Sequence, residues 1–403
     1  MTGADSLRGS RRQYRRARVD PEKQEQKRRK ARGHRNGQGI TRTRATAAVL
    51  PAVGTTGRPM VRARIEDVAR EAGVSPKTVS RVLNNEPNVR DEMRQRIQAA
   101  VAALGYRPNP SARSLASNRA FLIALLYDNP SPHYVMEVQQ GVLEACDAHQ
   151  YNMMVRPLAS AAPDFVERVD TLISQFRLDG LVLTPPITDH AALLDLLRAR
   201  GIPWASISPK NPAEGIGATL DERSASCEIV QHLASLGHRR IAHITGHSQH
   251  GASAWRLLGY RDGLEQAGLP YAPELVVEGR FSFDSGVAGG RQLFSLEHRP
   301  TAIFGANDDT AAGVLWAAAE RGLVVPRDVS VCGFDDIPLS RQVWPALTTV
   351  RQPSQDMGRI AAMQLLRAIK SGKPSQMVSV PFTLRLRQST GEAPRRVRAG
   401  RRE

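Results

Sequence analysis

GVSPKTVSRVLNN, residues 73–85, decides how this chain is read. Ser75 is a good N-cap and Pro76 suits the first helical position. The helix they open buries Val79, Val82 and Leu83. Upstream, Ile65, Val68, Ala69 and Ala72 fall at i, i+3, i+4 and i+7, one face of a helix. Gly73 suits the C′ position that ends it. A third helical pattern, Arg90 to Leu104, turns Met93, Ile97, Ala100, Val101 and Leu104 inward, and Gly105 closes it. Three helices this short and this close must share one small core. Helix, tight turn, helix at this spacing is a DNA-reading arrangement. The second helix would enter the major groove N-terminus first, projecting Pro76, Lys77 and Arg81 toward the bases. An arginine there can pair bidentately with guanine, worth ~1–3 kcal/mol of discrimination. Thr78 and Ser80 carry short hydroxyls suited to phosphates. The plainer alternative is a surface helix with solvated charges. The adjoining third helix and the polar stretch beyond it weigh against that.

The rest of the 403-residue chain is long enough for two or three domains. Its charge is uneven. Residues 1–59 hold 16 Lys/Arg against 4 Asp/Glu, which accounts for +12 of the net +17 and leaves +5 for everything else. This extension has no sustained apolar stripe, so disorder is the expectation. Either it adds non-specific phosphate attraction, or translation starts at Met60, where the ordered pattern begins at once. The second reading is preferred. Cys146, Cys227 and Cys332 form no CxxC pair, which argues against a zinc site and a disulfide scaffold and suits a reducing cytoplasm. No run of 18 apolar residues exists, so no membrane association is expected. ATAAVLPAVG, residues 45–54, is too short and too late to be a secretion signal.

The domain reading follows from these shifts: a basic extension over 1–59, a helix-turn-helix domain over 60–106, a linker over 107–118, a core over 119–390 and a solvated tail over 391–403. In the linker, Asn109 can cap a short helix with Pro110 at its first position. Such a helix is marginal alone and needs a partner. From Phe121 strands and helices alternate: FLIALLY, NMMVRPL, DGLVLTPP, IPWASIS, RRIAHITG, ELVVEG, TAIFGAN and DVSVCGFDD each adjoin a helical stretch. Repeated βα units imply parallel sheets covered on both faces. About 270 residues of them imply two similar lobes. Ligands in such sheets bind beyond the carboxyl ends of strands, which places ITGHSQ, FGANDD and GFDD at a cleft.

RIEDVAREAGVSPKTVSRVLNN, VRDEMRQRIQAAVAALGYRPNPSARSL, GHRRIAHITG, RLLGYRDGL, ANDDTAAG, DVSVCGFDD and LTTVRQP together resemble the LacI/GalR-type transcriptional regulators, in order and spacing, over residues 62–388. The resemblance implies a small all-α helix-turn-helix domain joined to a two-lobed α/β core like the periplasmic sugar-binding proteins. It implies a homodimer, a double-stranded inverted-repeat operator, a small carbohydrate effector and a cytoplasmic, DNA-associated location. Leu115 matches the residue that wedges a central base step in the minor groove; its alternative is packing within the linker. Asn84, Tyr106 and Asn109 match positions that support backbone contacts. In the core, Arg256, Asn307 and Asp335 match residues that hold a sugar, and Asp309 and Gln352 match more weakly. An arginine fork and a two-oxygen carboxylate suit vicinal hydroxyls. Asn129, His133 and Tyr134 follow the first strand and would face the ligand. Ser208 stands where some relatives carry an acid. Phe281 and Phe283 could stack on a sugar, or belong to the core. The tail has no heptads, which favours a dimer over a tetramer.

Rival readings fit less. No GxGxxG follows a strand, and there is no Walker loop or GxSxG elbow, so no enzyme and no cofactor are expected. His238, His243, His247 and His250 could form a metal cluster, but His243 lies on a strand and two others in a cleft loop, where one could touch ligand. A periplasmic sugar-binding protein would lack the three-helix head. A DNA-organising protein driven by the basic extension would show a steep salt dependence without sequence preference.

Overall fold

The computed structural model describes residues 63–83, 89–107, 114, 119–213, 215–373 and 375–394. The expectations for residues 1–62, Asn84, Asn109, Leu115 and the tail beyond 394 lie outside them.

The head is built from α1 (Ile65–Glu71), α2 (Pro76–Leu83) and α3 (Asp91–Ala103). Asp67 accepts the Arg64 amide at 2.9 Å, fixing the start of α1. Gly73, at φ +61°, takes the left-handed position after α1. The Ser75 hydroxyl accepts the Thr78 amide at 3.2 Å, a cap worth about 1 kcal/mol. Val68, Ala72, Val79, Val82, Ile97 and Ala100 are buried together, with Ile65, Leu83, Met93, Val101 and Tyr106 packed around them. Leu104, expected inside, is exposed at the end of α3. Gly105 turns the chain there (φ +55°), and Tyr106 takes the place against the core instead.

The core contains two six-stranded sheets. The first has β1 (Leu122–Tyr127), β2 (Asn152–Pro157), β3 (Gly180–Leu183), β4 (Trp204–Ile207), β5 (Gly217–Leu220) and β11 (Met377–Val380), in the order β11-β5-β4-β3-β1-β2. The second has β6 (Ile241–Ile244), β7 (Val276–Val277), β8 (Ala302–Gly305), β9 (Ser330–Asp335), β10 (Thr348–Arg351) and β12 (Thr383–Arg385), in the order β12-β10-β9-β8-β6-β7. Every pairing is parallel except β10 with β12.

Period-2 burial explains why these runs are strands covered twice. In β1, Ile123 and Leu125 pack beneath α4 (Pro132–His149) and α12 (Ser354–Ser371), whereas Ala124 and Leu126 pack beneath α5 (Phe165–Phe176) and α6 (Ala191–Arg200). In β6, Ile241 meets α7 (Glu222–Ser235) and α8 (Gly251–Gln266), whereas Ala242 and Ile244 meet α9 (Phe283–Phe294) and α10 (Asp308–Glu320). A short α11 (Leu339–Gln342) follows β9. Helices α4 and α12 touch backbone to backbone: a Cβ at Gly141 would run into the Gln355 carbonyl, and one at Gly358 into the Val138 carbonyl.

The chain passes between lobes three times, from β5 into α7, from β10 into α12 and from β11 into β12. All three passages leave the carboxyl end of a strand. Past residue 390, Gly391 accepts from His238 at 3.0 Å and the Ala393 amide donates to Leu236 at 2.8 Å, so the start of the stretch read as a tail is bonded to the second lobe.

Candidate functional site

In each sheet the strand order reverses at one strand, β1 in the first and β6 in the second. The crevice beyond the carboxyl ends at such a point is where open parallel sheets bind ligands. A cavity lies there between the lobes. Asn129, Ser131 and Tyr134 reach it from beyond β1, Pro185 from β3, Ser208 from β4 and Glu222 from β5. His250, Ala252 and Arg256 reach it from beyond β6, Phe281 from before α9, Asn307 from β8, Asp335 from β9 and Gln352 from β10. Sequence reasoning missed Ser131, Pro185, Glu222 and Ala252, and named His250 among four histidines of a possible metal cluster, two of them in a cleft loop where one could touch ligand. Among the described residues no group of three His, Cys, Asp or Glu could hold a metal.

Arg256 is the hub. It is 3% exposed on α8. Its Nε donates to Glu222 at 2.6 Å, one terminal nitrogen donates to the Ala306 carbonyl, and the other donates to Gln352 at 3.2 Å and lies 3.7 Å from Asp335. The guanidinium stacks 3.6 Å over Phe334 and faces Phe281 at 5.7 Å. Flanking carboxylates outweigh burial and hold its pKa above the ordinary value. Burial acts the other way on Asp335: it pushes the carboxyl up to about 8, against the lowering effect of Arg256. Burial also pushes His250 down to about 4, so its ring is neutral near pH 7. Two buried oxygens in the lining lack a hydrogen-bond partner, Glu222 Oε1 and Ser208 Oγ.

Three lining residues hold backbone conformations that favour glycine: Ser208 at φ +44°, Phe281 at +57° and Asp335 at +109°. Such strain costs of order 1–3 kcal/mol each and collects where function requires a side chain in one place. Phe281 is buried, its ring 5.2 Å from His250, and a Cβ at Gly246 would strike it. Asn307 lines the cavity, but its amide is already engaged. Its oxygen accepts from the Thr310 amide and hydroxyl at 2.9 and 2.7 Å, and its nitrogen donates to the Phe281 carbonyl at 3.1 Å.

Three expected residues stand apart from the lining. Asp309 accepts from the Ser131 hydroxyl at 2.8 Å, so it ties the second lobe to the first rather than facing the cavity. His133 is half-buried on α4, within electrostatic reach of Asp309 and Glu137. Phe283 is 42% exposed on the outside of α9. Of the other histidines, His243 is sandwiched between Tyr260 and Phe304, and His238 bonds to Thr301, Ser330 and the Gly391 carbonyl.

The cavity measures about 40 Å³, room for a few waters, whereas small-molecule sites run to roughly 300–1,000 Å³. A ligand therefore needs the lobes to part. A larger depression of about 530 Å³ lies at the amino ends of the first lobe's strands, beside Arg119, Asp179 and Trp204. Two of its charged groups are committed: Asp179 accepts the Ala120 and Phe121 amides at 3.0 and 2.8 Å, and Arg119 donates to the Ile369 carbonyl at 2.7 Å. Chemistry thus favours the small cavity over the large one.

On the head, α2 exposes Pro76 and Lys77, and leaves Thr78, Ser80 and Arg81 half-exposed. The Thr78 hydroxyl is 2.9 Å from that of Ser75, so it takes part in the cap. Tyr106 is half-buried against the three-helix core, where burial raises its pKa. No helix among the described residues is long and apolar enough to cross a membrane.

Comparison with known proteins separates the same two parts. A family model described as bacterial regulatory proteins, lacI family, matches residues 64–109, and one described as a periplasmic binding protein-like domain matches residues 230–390. The chain is 33% identical over 330 residues to catabolite control protein A of Priestia megaterium, covering 81% of this chain and 98% of that protein. It is 33% identical over 310 residues to the ribose operon repressor of Haemophilus influenzae, covering 77% and 92%. Among solved structures, the lac repressor dimer bound to operator and an anti-inducer superposes with a TM-score of 0.67 at 28% identity, over 82% of this chain and 99% of that one. A CelR–cellobiose complex superposes with a TM-score of 0.63 at 29% identity, over 81% and 100%.

Proposed function

The chain belongs to the LacI family of bacterial regulatory proteins, and from that premise we propose that it is a cytoplasmic homodimeric repressor that reads an inverted-repeat operator and is switched by a small carbohydrate held between its lobes. One observation carries the reading. Polar residues from beyond the strands of both lobes, Glu222, Arg256, Asp335 and Gln352 among them, converge on one cavity in a chain that also carries a helix-turn-helix.

Pro76, Lys77 and Arg81 on α2 face the bases, Thr78, Ser80, Asn84, Tyr106 and Asn109 steady the backbone, and Leu115 wedges the central step. Met136 and Leu143, exposed apolar residues seven apart on α4, offer a face to a second copy. The cleft acts as a receptor: its guanidinium is engaged by Glu222, Gln352 and the Ala306 carbonyl, and polar groups from both lobes surround one small cavity. Binding of effector needs the lobes to move, which supplies the two states that allostery requires.

The test is a binding-site selection on random duplexes, followed by fluorescence anisotropy on the recovered sequence with and without a panel of sugars. An inverted repeat whose affinity shifts about 5–150-fold with one sugar is expected. Recovery of no preferred sequence, or an operator affinity indifferent to every sugar, would overturn it.

A further inference from the structure

We infer that the effector bears an anionic group, a phosphate or a carboxylate, on its sugar frame, and that this group is held where the first turn of α8 meets Lys210. The inference rests on the cleft being the effector site. It starts from a place where the lobes touch. Gly251 opens α8, between His250 and Ala252, which both line the cavity. Lys210 comes from the other lobe, just past the lining residue Ser208. A Cβ at Gly251 would come within 2.8 Å of Lys210 Cγ and 3.2 Å of its Cα, so the lysine lies directly against the start of the helix. Two bonds keep it there. Its amide donates to Asp189 at 2.8 Å, and its carbonyl accepts from the Trp255 indole at 3.2 Å.

The capacity left over at this corner is donor capacity. α8 runs for 16 residues, no side chain caps its start, and its first turn carries no acid, so the positive end of its dipole is open. The Lys210 side chain is exposed and makes no ion pair among the described residues, Asp189 included. His250 is 7% exposed, lines the cavity and makes no hydrogen bond among the described residues. A buried imidazole in that position gains a partner only from a ligand. His247, Arg256, Lys210 and Asp128 lie within electrostatic reach of it. Arg256 is paired with Glu222, and Asp128 accepts the Ser160 amide and hydroxyl, both at 2.7 Å. His247 accepts the Gln249 amide through Nδ1 at 3.2 Å, which leaves Nε2 to donate. With Glu222 paired and Asp335 mostly protonated near pH 7, the cavity is close to neutral, and Lys210 tips its rim positive. A hydroxyl uses one such donor. An anion with several oxygens uses the helix amides, the imidazole and the ammonium together, and charge strengthens each bond. Because Lys210 belongs to one lobe and α8 to the other, the same anion pins the two lobes to each other.

The experiment titrates the full-length protein by calorimetry with the primary phosphate esters of glucose, fructose, galactose and ribose, and with glucuronate and galacturonate, each against its neutral parent sugar. At least one anionic sugar should bind about tenfold or more tightly than its parent, the scale of a charge-assisted over a neutral hydrogen bond. A preference among the phosphates assigns the group as a phosphate, and one among the uronates assigns it as a carboxylate. The ratio of anionic to parent affinity should collapse in Lys210→Met and persist in Lys210→Arg, which keeps the charge. Parent sugars that bind as well as every anionic form overturn the inference and leave the repressor reading intact. So does the absence of binding by every anionic sugar, or a ratio that Lys210→Met leaves unchanged. The repressor reading fails separately, on the operator selection.

Discussion

Replacing Arg256 with methionine removes the charge from the centre of the cleft while keeping most of the side chain's length and its contact with Phe334, now 3.6 Å from the guanidinium. Glu222, bonded to it at 2.6 Å, and Asp335, at 3.7 Å, would be left buried without a cation. Breaking a buried pair by removing one partner costs about 3–5 kcal/mol. At roughly 2–4 °C per kcal/mol for a domain near this size, the melting temperature should fall by at least about 6 °C. The loss should depend on pH with a definite sign. Asp335 already has its folded pKa raised to about 8 from an ordinary 3.8, and Arg256 is what restrains it. A group raised in the folded state supports stability below its unfolded pKa and loses that support as pH rises through the folded value. Arg256→Met should therefore be modestly worse at pH 8, where Asp335 is about half ionised in the parent protein, than at pH 5, where it is protonated with or without the arginine. Adding Glu222→Gln should recover about 2 kcal/mol or more, measured as coupling in a double-mutant cycle. Calorimetry at the two pH values reads all of this. A loss below about 1 kcal/mol, or one equal at both pH values, would refute the hub role of Arg256.

The remaining predictions are simpler. Arg81→Ala should relax base preference at one position per half-site, with a loss of about 1–3 kcal/mol on the preferred operator in a binding selection; unchanged preference would remove Arg81 from base reading. Asp335→Asn should flatten the fall in stability between about pH 4 and pH 8, because the raised folded pKa of Asp335 drives its share of that fall; urea midpoints across the range, compared with the parent protein, check it. The same variant should lose its effector response and keep operator affinity nearly intact, which anisotropy decides. Ser131→Ala removes the hydroxyl that spans the lobes to Asp309. Losing such a bond to a charged group, worth about 1.5–3 kcal/mol, should shift the lobes toward an open arrangement, visible as a larger radius of gyration in solution scattering.

The head and the lobes were legible because their signals are local and periodic. The i, i+3, i+4 pattern from Ile65 to Ala72 and the Ser75–Pro76 start need no tertiary context. The long strand runs read equally well, since a twice-covered strand is apolar throughout. β5, β10, β11 and β12 did not stand out: GATL, TTVR, MVSV and TLR are three or four residues long and mix in polar residues. Missing β5 had a consequence. Glu222 follows directly on its carboxyl end, and without the strand nothing marks that acid as a cleft residue. Ser131 and Pro185 carry no chemical signature until the sheets fold. Asp309 was misplaced for a different reason: ANDD puts three polar side chains at the start of α10, and only packing decides which turns inward. Asn307 caps the helix, Asp308 is buried against Thr349 and the Ile337 amide, and Asp309 reaches across to Ser131.

The three passages between lobes place the fulcrum of any rotation beside the cavity itself. Glu222 and Gln352 sit on two of those passages, so a bound molecule grips the pivot and not the rim. A lever gripped at its pivot gives a small stroke at the near end and a long one at the far end. Strands of four to six residues reach roughly 13–20 Å. A turn of about 10° would then sweep the first lobe's opposite edge by roughly 2–4 Å. Arg119, Ala120 and Phe121 are clamped to that edge by Ile369 and Asp179. Whatever precedes Arg119 in the chain is thereby geared to the far end of the stroke, where the movement is largest.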